Sequence, residues 1–150
     1  MKTVKIIALL FLVASVGIQF IPTKLNQSEY ILKTDFLLVN KTPKSISRIL
    51  KKSCYDCHSN NTNYPWYNKV QPAAWFVESH IQEGKKELDF CKWAEYSNRR
   101  KKSKLKSIMS QIRDNKMPLS SYTFIHSDAK LTKKEKKNIT DFMNKILDSL

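Results

Sequence analysis

Two cysteines and a histidine lie together in the run Cys54-Tyr-Asp-Cys57-His58, a spacing typical of covalent haem attachment. Two thiols about one helical turn apart can bond the two vinyl groups of a porphyrin as thioethers, while the adjacent imidazole binds the iron. The second ring nitrogen of His58 is then expected to donate to a backbone carbonyl, which fixes the tautomer and strengthens the ligand. The sequence therefore predicts one covalent haem c held by these three residues.

Two other kinds of site fit the same pair of thiols. In an oxidising compartment they could form a disulfide or a dithiol redox site. A structural zinc site is the other rival, but it needs four ligands, and only Cys91, His80 and His126 remain to complete one. Haem is the preferred interpretation, and a haem-free dithiol redox protein stays an alternative. Cys91 has no assigned role, and it could be buried and inert or pair with another chain.

The residue opposite His58 decides what a bound haem can do. Met117 is the leading candidate because it precedes Pro118, which favours an extended backbone and ends the preceding helix. A thioether opposite an imidazole raises the reduction potential, as in an electron carrier. The weaker candidates are two histidines, expected in the pocket or at the surface, and one methionine on an apolar helix stripe: His80, His126 and Met109.

Aromatic side chains follow the motif closely along the chain. Bulky rings can wall off a porphyrin and keep water from the iron, and the same rings can fill an ordinary core. The sequence predicts that four of them contact the haem: Tyr64, Trp66, Tyr67 and Trp75.

The motif and the segments around it resemble the bacterial haem-binding domain family, whose members are small exported proteins of cytochrome c-like fold with one C-x-x-C-H motif. The likeness covers about residues 35–147 and rests on segments in the same order: Cys54 to Asn60, Tyr64 to Tyr67, Pro72, Met117 to Leu119, Tyr122, His126, Asp128, Ala129 and Leu131. The resemblance implies that Cys54 and Cys57 attach the haem and that His58 binds its iron. It supports haem binding better than any particular reaction.

Helices are expected to position these residues, and the predicted fold is all-α: a cytochrome c-like domain around one haem, preceded by an apolar helix. Thr42-Pro43 predicts a capped helix start leading into Cys54. Pro72 opens a second helix, which Gly84 is expected to end. Residues 31–39 are expected to pack in extended form. Further helices are predicted around Phe90 and Trp93, from Leu105 toward Lys116, and from the capping box Thr132-x-x-Glu135 to Leu150.

The first residues of the chain indicate an export signal or a membrane anchor. Lys2 and Lys5 precede the apolar run Ile6–Ile21, which spans about 24 Å as a helix. An uncleaved membrane anchor is preferred to a cleaved export signal, since the best cleavage candidate, Ser15-x-Gly17, would cut into the apolar run. Either way the basic end stays inside and the body lies on the periplasmic side. The expected organisation is an anchor over 1–23, a tether over 24–42 and a haem domain over 43–150.

Composition limits the class of protein. The 150 residues include two glycines, which excludes glycine-rich phosphate loops and the nucleotide-binding enzymes that use them.

No carboxylate pair or nucleophile–base pair stands out in the sequence, so an electron carrier is expected rather than an enzyme. The alternative is a haem-based sensor or a peroxidase-associated module with an exchangeable sixth ligand.

The excess of lysine and arginine indicates which kinds of binding partner the protein can attract. Lysines and arginines number 27 against 13 acidic residues, a formal charge of +14, and they are densest in Arg99–Lys106 and Lys133–Lys137. Such runs often form solvated helix faces, and they can also steer an acidic redox protein or anionic lipid headgroups toward the surface. Nucleic acid is not an expected partner of an exported body without a recognisable binding motif. The sequence does not indicate an oligomeric state.

Overall fold

The computed structural model describes residues 1–28 and 30–150, and within these residues it is all-α, without strands. The α-helices are α1 Lys2–Gly17, α2 Phe36–Val39, α3 Lys44–Ser53, α4 Tyr55–His58, α5 Ala73–Glu87, α6 Asn98–Arg113, α7 Ser120–Ile125 and α8 Lys133–Asp148. Short 3-10 helices lie at Ile18–Phe20, Trp66–Lys69, Phe90–Glu95 and Ser127–Ala129. The predicted all-α fold with an N-terminal apolar helix is confirmed.

The hydrophobic core forms where α3, α6 and α8 pack together and α2 closes one end against the Phe90–Glu95 helix. Phe36 is fully buried, and its ring centroid lies 5.2 Å from that of Phe90 and 4.8 Å from that of Trp93. The Asp35 side chain accepts the Leu37 N–H at 2.8 Å and caps this one helical turn. The expectation of an extended 31–39 segment is therefore wrong over Phe36–Val39, because a local cap forms a turn too short for periodicity to reveal.

Two predicted helix starts have different outcomes. The capping box of α8 is present, with Glu135 N–H donating to the Thr132 hydroxyl and Thr132 N–H donating to the Glu135 carboxylate. Thr42, in contrast, does not cap α3, which begins at Lys44 after Pro43. The Thr42 hydroxyl oxygen is buried without a hydrogen-bond partner among the described residues. The local signal located the helix and misassigned its cap.

Helix α5 starts after Pro72 as predicted but continues through Gly84 to Glu87, so the predicted stop at Gly84 is wrong. Gly84 serves a contact instead. A Cβ at this position would lie 2.8 Å from the carbonyl oxygen of Cys57 and 3.3 Å from its Cβ. The absence of a side chain lets α5 pack directly against α4.

The N-terminal helix is long and apolar enough to cross a membrane. Lys2–Phe20 has a mean hydropathy of 2.1 over its best window, and none of that window is buried. A membrane anchor and an export signal share these properties.

Beyond the apolar helix, Asn26 connects the following segment to the rest of the protein. Its Nδ2 donates to the Ser59 carbonyl at 2.7 Å, and Lys85 Nζ donates to its Oδ1 at 2.6 Å.

Candidate functional site

The two cysteines and the histidine are presented by a tight turn between two helices. Helix α3 ends at Ser53, Cys54 breaks it with φ −133° and ψ −40°, and α4 then forms one turn. The Cys54 carbonyl accepts the N–H of Cys57 at 3.2 Å and that of His58 at 3.0 Å. This turn places all three side chains in the wall of one cavity of about 310 Å³.

His58 is held through its Nδ1 atom, which lies 2.9 Å from the Gly84 carbonyl oxygen and 2.9 Å from that of Leu88. Carbonyl oxygens only accept, so Nδ1 carries the proton and Nε2 is left with a free lone pair. Both acceptors lie at the C-terminal end of α5: the Gly84 carbonyl also accepts the Leu88 N–H at 2.8 Å, and Leu88 directly follows the last residue of the helix. The predicted hydrogen bond from His58 to a backbone carbonyl is confirmed, and the structure identifies two acceptors.

The side of the motif that faces the protein is fixed in the core. Tyr55 stacks on Phe90 with ring centroids 5.0 Å apart, and Phe90 meets the His58 ring edge-on at 6.2 Å. The Tyr55 hydroxyl donates to the buried Asp35 carboxylate at 3.1 Å. Sequence reasoning missed Asp35, although an acidic residue just before a buried aromatic turn is a recognisable cap signal.

Both motif thiols are free and partly buried. Burial, reinforced by the neighbouring Cys57, raises the pKa of Cys54 to about 12. Burial, reinforced by the Asp56 charge, raises the pKa of Cys57 to about 11. Both sulfurs are therefore protonated at neutral pH, whereas dithiol redox sites lower the pKa of the attacking cysteine. These surroundings disfavour the dithiol redox alternative.

Met117 lies in the same cavity wall, in the loop that follows α6. The Gln111 carbonyl accepts the Lys116 and Met117 N–H groups at 2.9 and 3.2 Å, and Asn115 reverses the chain with a φ of 56°. Helix α6 ends at Arg113, a little before the predicted position, and the methionine is outside the helix as expected. The structure thus brings Met117 together with the C-x-x-C-H motif, while its role as an iron ligand stays a prediction.

The three weaker candidate ligands lie at different places in the structure. His80 borders the same cavity, and its Nδ1 lies 2.8 Å from the Phe76 carbonyl oxygen, so its Nε2 is free as in His58. His126 borders a neighbouring cavity of about 100 Å³, and its Nε2 lies 2.8 Å from the Tyr67 hydroxyl. Met109 packs against the hydrophobic core, as predicted from its apolar stripe.

The four predicted aromatic contacts are not all at the cavities beside the motif. Tyr67 borders the smaller cavity, whereas the described linings of both cavities lack Tyr64, Trp66 and Trp75. Tyr64 instead donates to the buried Glu78 carboxylate, and Trp66 is 78% exposed. Their roles as haem contacts stay predictions.

Tyr122 borders both cavities and was not assigned a role from the sequence. Its hydroxyl donates to Asp56 Oδ2 at 2.6 Å, and its ring stacks on His126 at 4.6 Å. Burial and this hydrogen bond raise the pKa of Tyr122 well above its ordinary value, so the phenol is protonated at neutral pH. Its place among the segments of the family resemblance was the available signal.

Cys91 lies behind the motif and is 4% exposed. Its sulfur accepts the Asn60 N–H at 3.3 Å and lies 3.7 Å from an Asp35 carboxylate oxygen. Burial, opposed by the Asn60 hydrogen bond, raises the pKa of its thiol to about 11. Of the two roles considered for Cys91, the structure favours the buried and inert one.

The donor set suits a covalently held haem. Two protonated thiols, an imidazole with a free Nε2 and a thioether border one cavity, and Gly84 keeps the helix behind them close enough to orient the imidazole. A family model described as a haem-binding domain matches residues 13–145, which contain the motif and both cavities. No curated protein and no solved structure matches the chain.

Proposed function

The chain belongs to the haem-binding domain family and is a haem-binding protein, and on that premise we propose that it is a mono-haem c-type cytochrome that transfers single electrons outside the cytoplasm. The observation that carries the proposal is the pairing of His58 Nδ1 with the Gly84 and Leu88 carbonyls. A ligating histidine is typically oriented in this way. Cys54, Cys57 and Met117 border the cavity beside it.

Cys54 and Cys57 would attach the cofactor by addition of each thiol across one porphyrin vinyl group. A carbon–sulfur bond forms, the vinyl double bond is consumed, and the thiol hydrogen passes to the neighbouring carbon, so no net oxidation occurs. This step needs both sulfurs as free thiols, which is their state in the structure.

His58 and Met117 would hold the iron of the haem, and the bound haem would supply a one-electron couple. His58 has its free lone pair on Nε2, and its orientation is fixed from behind by main-chain atoms. A thioether in the second position favours reduced iron and raises the potential, which suits an electron carrier. Pro118, Leu119 and Tyr122 line the same cavity next to Met117.

Export to the periplasmic side and attachment to the inner membrane complete the proposal. Support comes from the apolar Lys2–Phe20 helix with basic residues at its start. The basic runs lie on α6 and α8, which pack against each other, and an acidic redox protein is the proposed partner. A cleaved signal would give a soluble periplasmic carrier with the same body.

One observation favours a second candidate. His80 borders the haem cavity with Nδ1 bonded to the Phe76 carbonyl and Nε2 free. If the iron exchanged Met117 for His80 or for a small external ligand, the domain would serve as a haem-based sensor or a peroxidase-associated module.

Intact mass of the exported, matured chain tests the attachment. We expect the denatured protein to be heavier by one haem, and the Cys91→Ser variant to be equally loaded because Cys91 lies behind the motif. Cys54→Ser/Cys57→Ser is expected to lose the covalent mass. A colourless wild type with both motif thiols open to alkylation would instead support the haem-free dithiol alternative for these residues.

A further inference from the structure

The junction between the apolar helix and the body is made by reciprocal hydrogen bonds. Gln19 Nε2 donates to the Gln71 carbonyl oxygen at 3.0 Å, and the Gln71 N–H donates back to Gln19 Oε1 at 2.9 Å. Gln71 Nε2 also donates to the Ile21 carbonyl oxygen at 3.1 Å. Gln71 is therefore held at the C-terminal end of the Lys2–Phe20 span, and the surface around it must lie close to any membrane that this helix enters.

Exposed apolar side chains lie on the segments next to Gln71 and on the end of α7, and we name them the apolar patch. The exposed fractions are 78% for Trp66, 47% for Val70, 62% for Phe76, 89% for Phe124 and 60% for Ile125. Exposed apolar groups that adjoin one another on a soluble surface commonly mark an interaction site.

Chain neighbours, contacts and a shared cavity connect the segments that carry the patch. Val70 directly precedes Gln71, and Trp66 lies in the 3-10 helix just before it, with its ring 5.9 Å from that of Tyr67. The Tyr67 hydroxyl meets His126 at 2.8 Å, which joins this helix to the end of α7. Phe76 and Ile125 border the same small cavity.

We infer that the apolar patch rests on the bilayer surface, so that the body docks flat beside its anchor instead of moving freely on a tether. The inference rests on the membrane anchoring in the proposed function. Tryptophan is favoured at the level of the lipid headgroups, and phenylalanine and isoleucine are favoured slightly deeper. The hydrogen bonds from Gln19 hold Gln71 beside the end of the apolar helix, which makes the bilayer around that helix the proposed occupant in preference to a diffusing protein.

Photolabelling of the full-length, haem-loaded chain tests this docking. The protein is reconstituted into phosphatidylcholine vesicles that contain a phosphatidylcholine with a diazirine in its acyl chain, and labelled peptides are located by mass spectrometry. We expect label in the Lys2–Phe20 helix and also in peptides that carry Trp66–Val70 and Phe124–Ile125. Gln19→Ala removes two of the junction bonds and is expected to lower labelling of the patch at least twofold, with labelling of the helix unchanged.

The controls separate this inference from the anchor itself. Gln82→Ala changes an exposed glutamine of α5 away from the junction and is expected to leave every peptide labelled as in the wild type. Label confined to the Lys2–Phe20 helix, or label on the lysine runs of α6 and α8 in place of the patch, would overturn the docking and leave the anchor intact. Absence of label from the helix as well would overturn both.

Discussion

Gly84 and Cys57 are in direct backbone contact: a Cβ added to Gly84 would lie 2.8 Å from the Cys57 carbonyl oxygen. A distance this short forces the main chain of α4 or α5 to move. Since the Gly84 carbonyl is also an acceptor for His58 Nδ1, the same movement would disturb the proximal imidazole.

Gly84→Ala is therefore expected to destabilise the protein by about 1–3 kcal/mol, as overpacking does, although alanine is the better helix former by about 1 kcal/mol. Gly17→Ala is the matched control, because nothing lies within 4 Å of a Cβ at Gly17. The measurement is chemical denaturation of the haem-loaded protein, combined with its absorption spectrum. Equal stability of the two variants would contradict the contact.

With Met117 as the proposed iron ligand, Met117→Leu is expected to remove that ligand while keeping the volume of the side chain. The iron would become high-spin and bind carbon monoxide, whereas the wild type stays low-spin and excludes it. Met109→Leu is the control, since Met109 packs against the core and its variant should keep the wild-type spectrum. The measurement is the absorption spectrum of oxidised and reduced protein with and without carbon monoxide.

His80→Ala separates the two candidate functions. An electron carrier with Met117 as ligand should keep its low-spin spectrum in this variant, because His80 is then only part of the cavity wall. Conversion of His80→Ala to high-spin iron, with Met117→Leu unchanged, would assign the sixth position to His80.

Glu135 links two helices at the protein surface and predicts a pH dependence of stability. Hydrogen bonds from Thr132, reinforced by Lys52 Nζ at 3.1 Å, hold the pKa of Glu135 below its ordinary value. Because the folded pKa is lowered, the stabilisation is present above the unfolded pKa and is lost as the pH falls through the folded one. Glu135→Gln keeps a side chain that can complete the capping box and loses only the charge, so it should cost about 0.5 kcal/mol at pH 7, and the difference from wild type should vanish at acidic pH.

Asp141→Asn provides the control for Glu135 on the same helix. Its ion pair with Lys137 is highly exposed, and such pairs contribute little. Chemical denaturation at a series of pH values, from pH 7 to the acidic range, gives the free energy of unfolding of both variants. A pH-independent loss in Glu135→Gln would contradict the assigned role of the charge.

For the proposed electron carrier, the net charge predicts how the rate of electron transfer responds to salt. With a formal charge of +14, the rate with an anionic acceptor such as ferricyanide should fall as ionic strength rises, and the rate with a cationic complex should rise. Stopped-flow kinetics over a salt series measures both slopes. Replacing the exposed Lys102 and Lys106 with glutamine should flatten them, and identical slopes for the two acceptors would argue against steering.

Local signals predicted much of this protein. The C-x-x-C-H spacing located the site, the Thr132–Glu135 box located α8, and Pro118 placed Met117 in a loop. Each of these depends on residues close together in the chain, so sequence spacing is enough to reveal it.

Features that depend on contacts between distant segments were missed. Gly84 is required by Cys57, 27 residues earlier in the chain, and it looked like a helix stop. The turn at Phe36 is buried by Phe90 and Trp93, and its short length gave no period. Thr42 shows the converse error, because its side chain is of a capping type but lies one residue before the N-cap position, which Pro43 occupies.

The acceptors for His58 have a consequence for variation among related chains. Both are main-chain oxygens, of Gly84 and Leu88, and a point substitution cannot delete a main-chain oxygen. Substitutions that leave the end of α5 in place therefore keep both hydrogen bonds of His58, and Gly84 is the position where an added side chain would move them.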